Sequence, residues 1–186
     1  MLRKNPSGHY PQVSTSAYID KTAIICGNVI IGDNVFVGPY AVIRADEVDE
    51  NGDMEPIIIG SDSNIQDGVV IHSKAGARVT VGSRTSIAHR SIIHGPCSVG
   101  NNVFIGFNSV VFRTDIGDGC VVRHNCVVDG TDIPAGTVIP PVVHIGPEYD
   151  LATLPQTDQS ASDFSESIIS ANHYLVKGYK QLANEF

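Results

Sequence analysis

Aliphatic residues recur at every sixth position through most of this chain, and no other feature constrains the fold as strongly. Ile19, Ile25, Ile31, Val37 and Ile43 are evenly spaced, and the series resumes at Ile59, Ile65 and Ile71. It continues through Val81, Ile87, Ile93, Val99, Ile105 and Val111, then, after one shorter step, through Ile116, Val122, Val128, Ile133 and Ile139. Four residues after most of these anchors stands a small or β-branched residue, among them Ala23, Val29, Ala41, Val69, Ser91, Cys97 and Cys126. Glycine often follows the anchor directly, as at Gly60, Gly82 and Gly100.

A period of six fits neither a helix nor one long strand, but it contains a period of two. The anchor and the residue two before it point the same way, as in a strand. The remaining positions turn a corner, where Gly, Asn and Asp are easily accommodated. Each hexapeptide therefore reads as a short strand plus a bend. Three of them close a triangular coil, and stacked coils bury the anchors inside a prism, about 4.8 Å apart through parallel pairing. About twenty anchors imply roughly seven coils. The expected fold is an all-β solenoid, a parallel β-helix over residues 1–145. Residues 146–186 read as a linker with one short helical turn and a C-terminal α-helix in the same domain. In that helix, from about 162 to 183, Phe164, Ile168, Ala171, Leu175, Tyr179 and Leu182 form one apolar stripe. The stripe is expected to lie against one face of the prism.

Two segments break the register. Residues 45–56 are polar and read as a protruding loop, and Ser73-Lys74-Ala75-Gly76 adds four residues between Ile71 and Val81. Loops on a rigid solenoid tend to carry function. A net charge of −8 argues against a nucleic-acid partner, which requires a basic surface. No stretch approaches the roughly 18 apolar residues of a membrane span. The start, Met1 to Pro6, is basic without the apolar core of a secretory signal. A cytoplasmic chain, or a mature form already stripped of its leader, is expected. Cys26, Cys97, Cys120 and Cys126 form no Cys-x-x-Cys pair and read as buried, reduced thiols.

Three of the seven histidines cluster in the middle repeats. His72 follows anchor Ile71, His94 follows anchor Ile93, and His89 lies two after anchor Ile87. If the four added residues after Ile71 form a corner loop, His72 and His94 stack on one edge about 4.8 Å apart at the backbone. Two imidazoles so placed can share a metal with N–metal bonds of about 2.0–2.1 Å. If instead the insertion makes a full side, the two histidines fall on different edges. His89 stands on the preceding edge, roughly 15 Å away along one side. It could reach only a site on a neighbouring subunit, and such a head-to-tail contact closes naturally into a ring. Three histidines with an open fourth position suit Zn²⁺, Co²⁺ or Fe²⁺ and make hydroxide available near neutral pH.

At this point the chain resembles the γ-class carbonic anhydrases of the hexapeptide-repeat family. The resemblance rests on Arg44-Ala45-Asp46-Glu47, on Asn64-Ile65-Gln66-Asp67-Gly68 with the run to His72, on Ala88-His89 through His94-Gly95-Pro96, and on Asn172-His173 to Lys180. It implies a left-handed β-helix and a homotrimer with metal, expected to be Zn²⁺, bound by His72 and His94 of one subunit and His89 of the next. It further implies that Gln66 orients the hydroxide, with Asn64 assisting from the same face. Arg44 and Asp46 would pair near the subunit interface, Glu47 would receive a proton at the site mouth, and Asn172 would position CO₂ or bicarbonate. The best-known branch carries a long acidic loop after its first metal histidine. Here Ser73-Lys74-Ala75-Gly76 supplies no carboxylate, as in the subclass lacking that loop. The implied activity is reversible hydration of CO₂. Two alternatives stand beside it: a weakly active or non-enzymatic trimeric scaffold, and a hexapeptide-repeat acyltransferase working through one histidine base.

Overall fold

A computed structural model describes residues 1–183. Twenty-one short strands wind into a three-sided parallel prism, followed by a 3₁₀ turn at Leu151–Thr153 and a helix at Gln159–Ala183. The three faces hold eight, six and seven strands, all paired in parallel with strands of adjacent coils, on both sides except at the two ends of each face. This is the expected solenoid of about seven coils, and it matches a left-handed β-helix. The coils begin earlier than the aliphatic series and end later. Leu2 pairs with Ile25 at one end, and Val128 with Ile145 at the other.

The anchors do what their spacing requires. Ile25, Ile43, Ile65, Ile71, Ile87, Ile93 and Ile105 are fully buried in one continuous core. Each such side chain contributes about 1.5–3 kcal/mol through burial. The glycines after the anchors have a reason that corner flexibility does not cover. A Cβ on Gly60 would lie 2.6 Å from the carbonyl carbon of Gly82, and one on Gly82 would lie 2.6 Å from that of Gly100. Their φ angles are ordinary; successive coils simply stack too closely there for a side chain.

The helix lies along the third face. That face presents an outward column of Tyr18, Phe36, Asn64, Ser86, Phe104 and Val121, aligned by the strand register. Phe164 packs edge-on against Phe104 with centroids 5.0 Å apart, and Tyr179 stacks on Tyr18 at 4.9 Å. The expected stripe is corrected here. The residues buried against the prism are Ala161, Ser165, Ile169, Asn172 and Val176, while of the expected stripe Phe164 and Ile168 are half-buried, Leu175, Tyr179 and Leu182 are 37–51% exposed and Ala171 is exposed. The small Ala161 packs with Phe104 and Val121, and the buried polar side chains of Ser165 and Asn172 turn back to the helix's own Ala161 and Ile168 carbonyls. Arg84 with Glu166, and Lys180 with the Thr15 carbonyl, tie the helix to the prism.

Candidate metal centre

Register decides the central geometric question. Val70, Ile71 and His72 pair residue by residue with Ile92, Ile93 and His94, so the insertion is a corner loop and the two histidines share one edge. Arg44 stands one coil above His72 in the same column. The strand Val70–His72 ends there, so both imidazoles project at the corner between the first and second faces.

The two rings meet edge to face, and His72 Nδ1 lies 3.3 Å from His94 Nε2. His94 Nδ1–H donates to the Gly95 carbonyl at 3.1 Å, which leaves a lone pair on Nε2. His72 Nε2 lies 3.3 Å from Asp46 Oδ1, and a carboxylate there favours the Nε2–H tautomer with a lone pair on Nδ1. Two lone pairs then face each other, an arrangement that calls for a cation or proton between them. A tetrahedral ion with N–metal bonds of about 2.0–2.1 Å separates two ligand nitrogens by roughly 3.3–3.4 Å, so the donor pair fits such an ion. Among the described residues, no single chain brings together three or more His, Cys, Asp or Glu in a metal-holding group. One chain supplies two nitrogens.

The other expected residues divide into two groups. Around the pair, Arg44 Nη1 donates to Asp46 Oδ2 at 2.6 Å, so Asp46 bridges the guanidinium and His72. Glu47 is half exposed, with Oε1 3.5 Å from His72 Nε2. Its other oxygen accepts from the Ala75 N–H at 3.2 Å, so the shortened loop holds this carboxylate at the mouth. His89 belongs to the second group, at the corner leaving the third face. Asp67 Oδ2 lies 3.4 Å from its Nδ1. Asn64 and Gln66 are buried on that same third face. Gln66 Nε2 donates to Asn64 Oδ1 at 2.9 Å, and Asn64 Nδ2 donates to Ser86 Oγ at 2.7 Å. Asn172 is buried under the helix over this face, its amide turned back to the Ile168 carbonyl at 2.9 Å. Thus Asn64 and Gln66 lie on the third face, His89 at its exit corner and Asn172 on the helix over it, and none of them stands on the edge that carries His72 and His94 of their own chain.

Four contributors had not been singled out from the sequence. Asp67 precedes His89 by the same 22 residues that separate His72 from His94, a spacing that marks vertical neighbours. Phe112 stacks beneath His94 with centroids 5.3 Å apart, and Phe107 lies 5.3 Å from His89. The Ala75 N–H left no signal, since any residue supplies a backbone donor. The cysteines are as expected, all four free and buried, and burial pushes the Cys97 thiol up to about 12.

Comparison with known proteins places this architecture. The bacterial transferase hexapeptide family (six repeats) matches residues 11–45 and 78–113. The chain is 34% identical to the carbonic anhydrase of Methanosarcina thermophila over 198 aligned residues, spanning 95% of this chain and 78% of that protein. It is 37% identical over 178 residues to the carboxysome assembly protein CcmM of Nostoc sp., spanning 90% of this chain but 31% of that much longer relative. A crystal structure of a candidate acetyltransferase from Bacillus cereus superposes with a TM-score of 0.83 at 22% identity, covering 97% of each chain, and so shares the fold. The chain belongs to the hexapeptide-repeat transferase family. Among its described residues, no helix is long and apolar enough to cross a membrane.

Proposed function

We propose that this protein is a metal-dependent carbonic anhydrase of the hexapeptide-repeat family, hydrating CO₂ reversibly at sites shared between the subunits of a homotrimer. The observation that carries the reading is the 3.3 Å separation of His72 Nδ1 and His94 Nε2, with Asp46 and Gly95 occupying the far nitrogens. The 34% identity to a carbonic anhydrase supports it. His72 and His94 of one subunit and His89 of the next would hold the ion. Zn²⁺ is the first expectation, and Fe²⁺ or Co²⁺ suits the same neutral donors.

When bound, such an ion supplies hydroxide at neutral pH by lowering the pKa of water. The protein's own groups do the rest. Gln66, fixed through Asn64 and Ser86, keeps Oε1 free to accept a hydrogen bond and so orient the nucleophile. It arrives with His89 of the neighbouring subunit, because both end the third face. Glu47, half exposed and held by the Ala75 N–H, takes the released proton and passes it to buffer. Asp46 fixes the ring of His72, and Arg44 fixes Asp46. Asn172 reaches bicarbonate only after its amide leaves the Ile168 carbonyl.

Two observations favour a second reading, a scaffold with little activity. The loop after His72 carries no carboxylate, and a similar relative is named for carboxysome assembly. Stopped-flow CO₂ hydration on protein loaded with Zn²⁺, or anaerobically with Fe²⁺, separates the two. Metal-dependent hydration that disappears in His94→Ala is expected. A folded, metal-loaded trimer without hydration would leave the scaffold.

A further inference from the structure

The opening segment of the chain is exposed around one buried polar side chain. Leu2 and Arg3 pair with Ile25 and Cys26 as the outermost rung of the first face. Of residues 1–10, Asn5 alone is buried, at 5% exposure. An asparagine so placed needs definite partners for its amide. Asn5, Pro6, Ser7 and Gly8 are the residues that a four-residue turn favours, with Asn first, Pro second and Gly last. The Gly8 N–H donates to the Asn5 carbonyl at 3.0 Å and closes that turn. The His9 N–H donates to Asn5 Oδ1 at 2.9 Å, which satisfies the oxygen and leaves Nδ2 to face inward.

That nitrogen meets both stems of the loop that begins with Asp46 and Glu47. It donates to the Ala45 carbonyl at 3.0 Å, where the strand Val42–Ala45 ends, and to Met54 Sδ at 3.3 Å, shortly before the next strand begins at Ile57. His9 Nδ1 lies 3.3 Å from the same nitrogen. The Ala45 carbonyl also accepts from the Asn28 N–H at 3.2 Å. The packing here excludes any side chain at Gly27, whose added Cβ would stand 1.8 Å from the Ala45 oxygen and 2.9 Å from Asn5 Nδ2. The loop tip closes on itself, with Asp49 Oδ1 accepting from the Asn51 and Asp53 N–H groups at 2.9 and 2.8 Å. Its stems are tied from outside, by Asn5 and Asn28.

We infer that Asn5 is a positioning residue for the proposed reaction: its buried amide holds the peptide between Ala45 and Asp46 and so aims the Asp46 carboxylate at His72. The inference rests on the metal-binding reading above and adds to it a contribution from 40 residues earlier in the chain. The Ala45 carbonyl and the Asp46 nitrogen belong to one planar peptide unit. A donor fixed on that carbonyl sets the plane from which the Asp46 side chain leaves. Asp46 Oδ1 then ends 3.3 Å from His72 Nε2. His72 itself is placed by the strand register on both sides, so Asn5 governs the carboxylate and not the ring's backbone.

Zn²⁺ affinity, read on the full chain by competition with a chromophoric chelator, tests this through a double-mutant cycle with Asp46. Asn5→Ala should weaken Zn²⁺ binding by about tenfold, the lower end of what losing an outer partner costs. Asn5→Ser, whose hydroxyl can still close the turn but is too short to reach the Ala45 carbonyl, should do the same. In the Asp46→Ala background, Asn5→Ala should weaken binding no further, because the group it positions is gone. Wild-type affinity in both Asn5 variants would overturn the inference. So would losses that add in the double variant, the result of a purely structural role. A wild type that binds no Zn²⁺ would overturn the metal reading, and this inference with it. If Asn5→Ala does not fold, as judged by circular dichroism, the cycle of Asn5→Ser with Asp46→Ala decides in the same way.

Discussion

Asp46 offers the sharpest perturbation, because one carboxylate touches both Arg44 and His72, one of the two histidines proposed to hold the metal. Its Oδ2 accepts from Arg44 at 2.6 Å, and its Oδ1 lies 3.3 Å from His72 Nε2. Asp46→Ala removes the group that fixes the tautomer and ring orientation of His72. Losing such an outer partner costs about 10–100-fold in metal affinity. The Arg44–Asp46 pair contributes much less to folding, because the arginine side chain is 39% exposed, and such pairs are worth about 0–1 kcal/mol. The expected signature is a split: Zn²⁺ binding, read by competition with a chromophoric chelator, weakens by about 10–100-fold. Urea unfolding of the metal-free protein shifts by no more than about 1 kcal/mol. Asp46→Asn, which keeps an acceptor oxygen, should fall between wild type and alanine. Wild-type affinity in Asp46→Ala would refute the orienting role. An affinity loss matched by an equal loss of metal-free stability would show that Asp46 acts on the fold.

Other expectations follow from the same geometry. Ile93→Ala opens the core directly behind His94 and should cost about 2–5 kcal/mol by denaturant titration. Gly82→Ala should destabilise by driving a methyl group into the Gly100 backbone at 2.6 Å, whereas Gly178→Ala, with nothing within 4 Å, should stabilise the helix by about 1 kcal/mol. The buried thiol of Cys97, raised to about 12 against an ordinary 9.0, should resist a disulfide reagent at pH 8 in the native protein, and all four cysteines should react once unfolded. Because the fold holds that thiol neutral, its contribution is complete below pH 9 and is lost as pH rises from about 9 toward 12, which unfolding titrations in that window would show. Glu47→Gln should slow hydration most in dilute buffer and least in concentrated buffer, the pattern of an impaired proton exit.

Much of this was legible in the residues themselves. The hexapeptide period names the core because each coil repeats the same inward position, as Ile65, Ile87 and Ile105 show. The stacking of His72 on His94 follows from the sequence if the four added residues form a corner, and the register shows that they do. The handedness came from resemblance, since a period of six fits a coil of either hand. The helix was harder. Its most apolar stripe is rotated from its buried side, because the third face is itself mixed: Phe104 and Val121 take Ala161, and the polar rungs of Asn64 and Ser86 lie under a helix that buries Ser165 and Asn172. Periodicity in one element cannot report the surface it meets. Phe107 and Phe112 gave no signal of their own in the sequence, and their alignment with His89 and His94 emerges from the register of whole coils.

The most direct test of a shared catalytic site mixes two broken proteins. His89→Ala retains the His72–His94 pair, and His94→Ala retains His89, so each should be inactive alone. Co-refolded in equal amounts with Zn²⁺, random trimers should contain intact interfaces at about one position in four, and CO₂ hydration should return to about a quarter of the wild-type rate. Activity that stays absent in mixed trimers, beside an active wild type, would contradict a site completed between subunits.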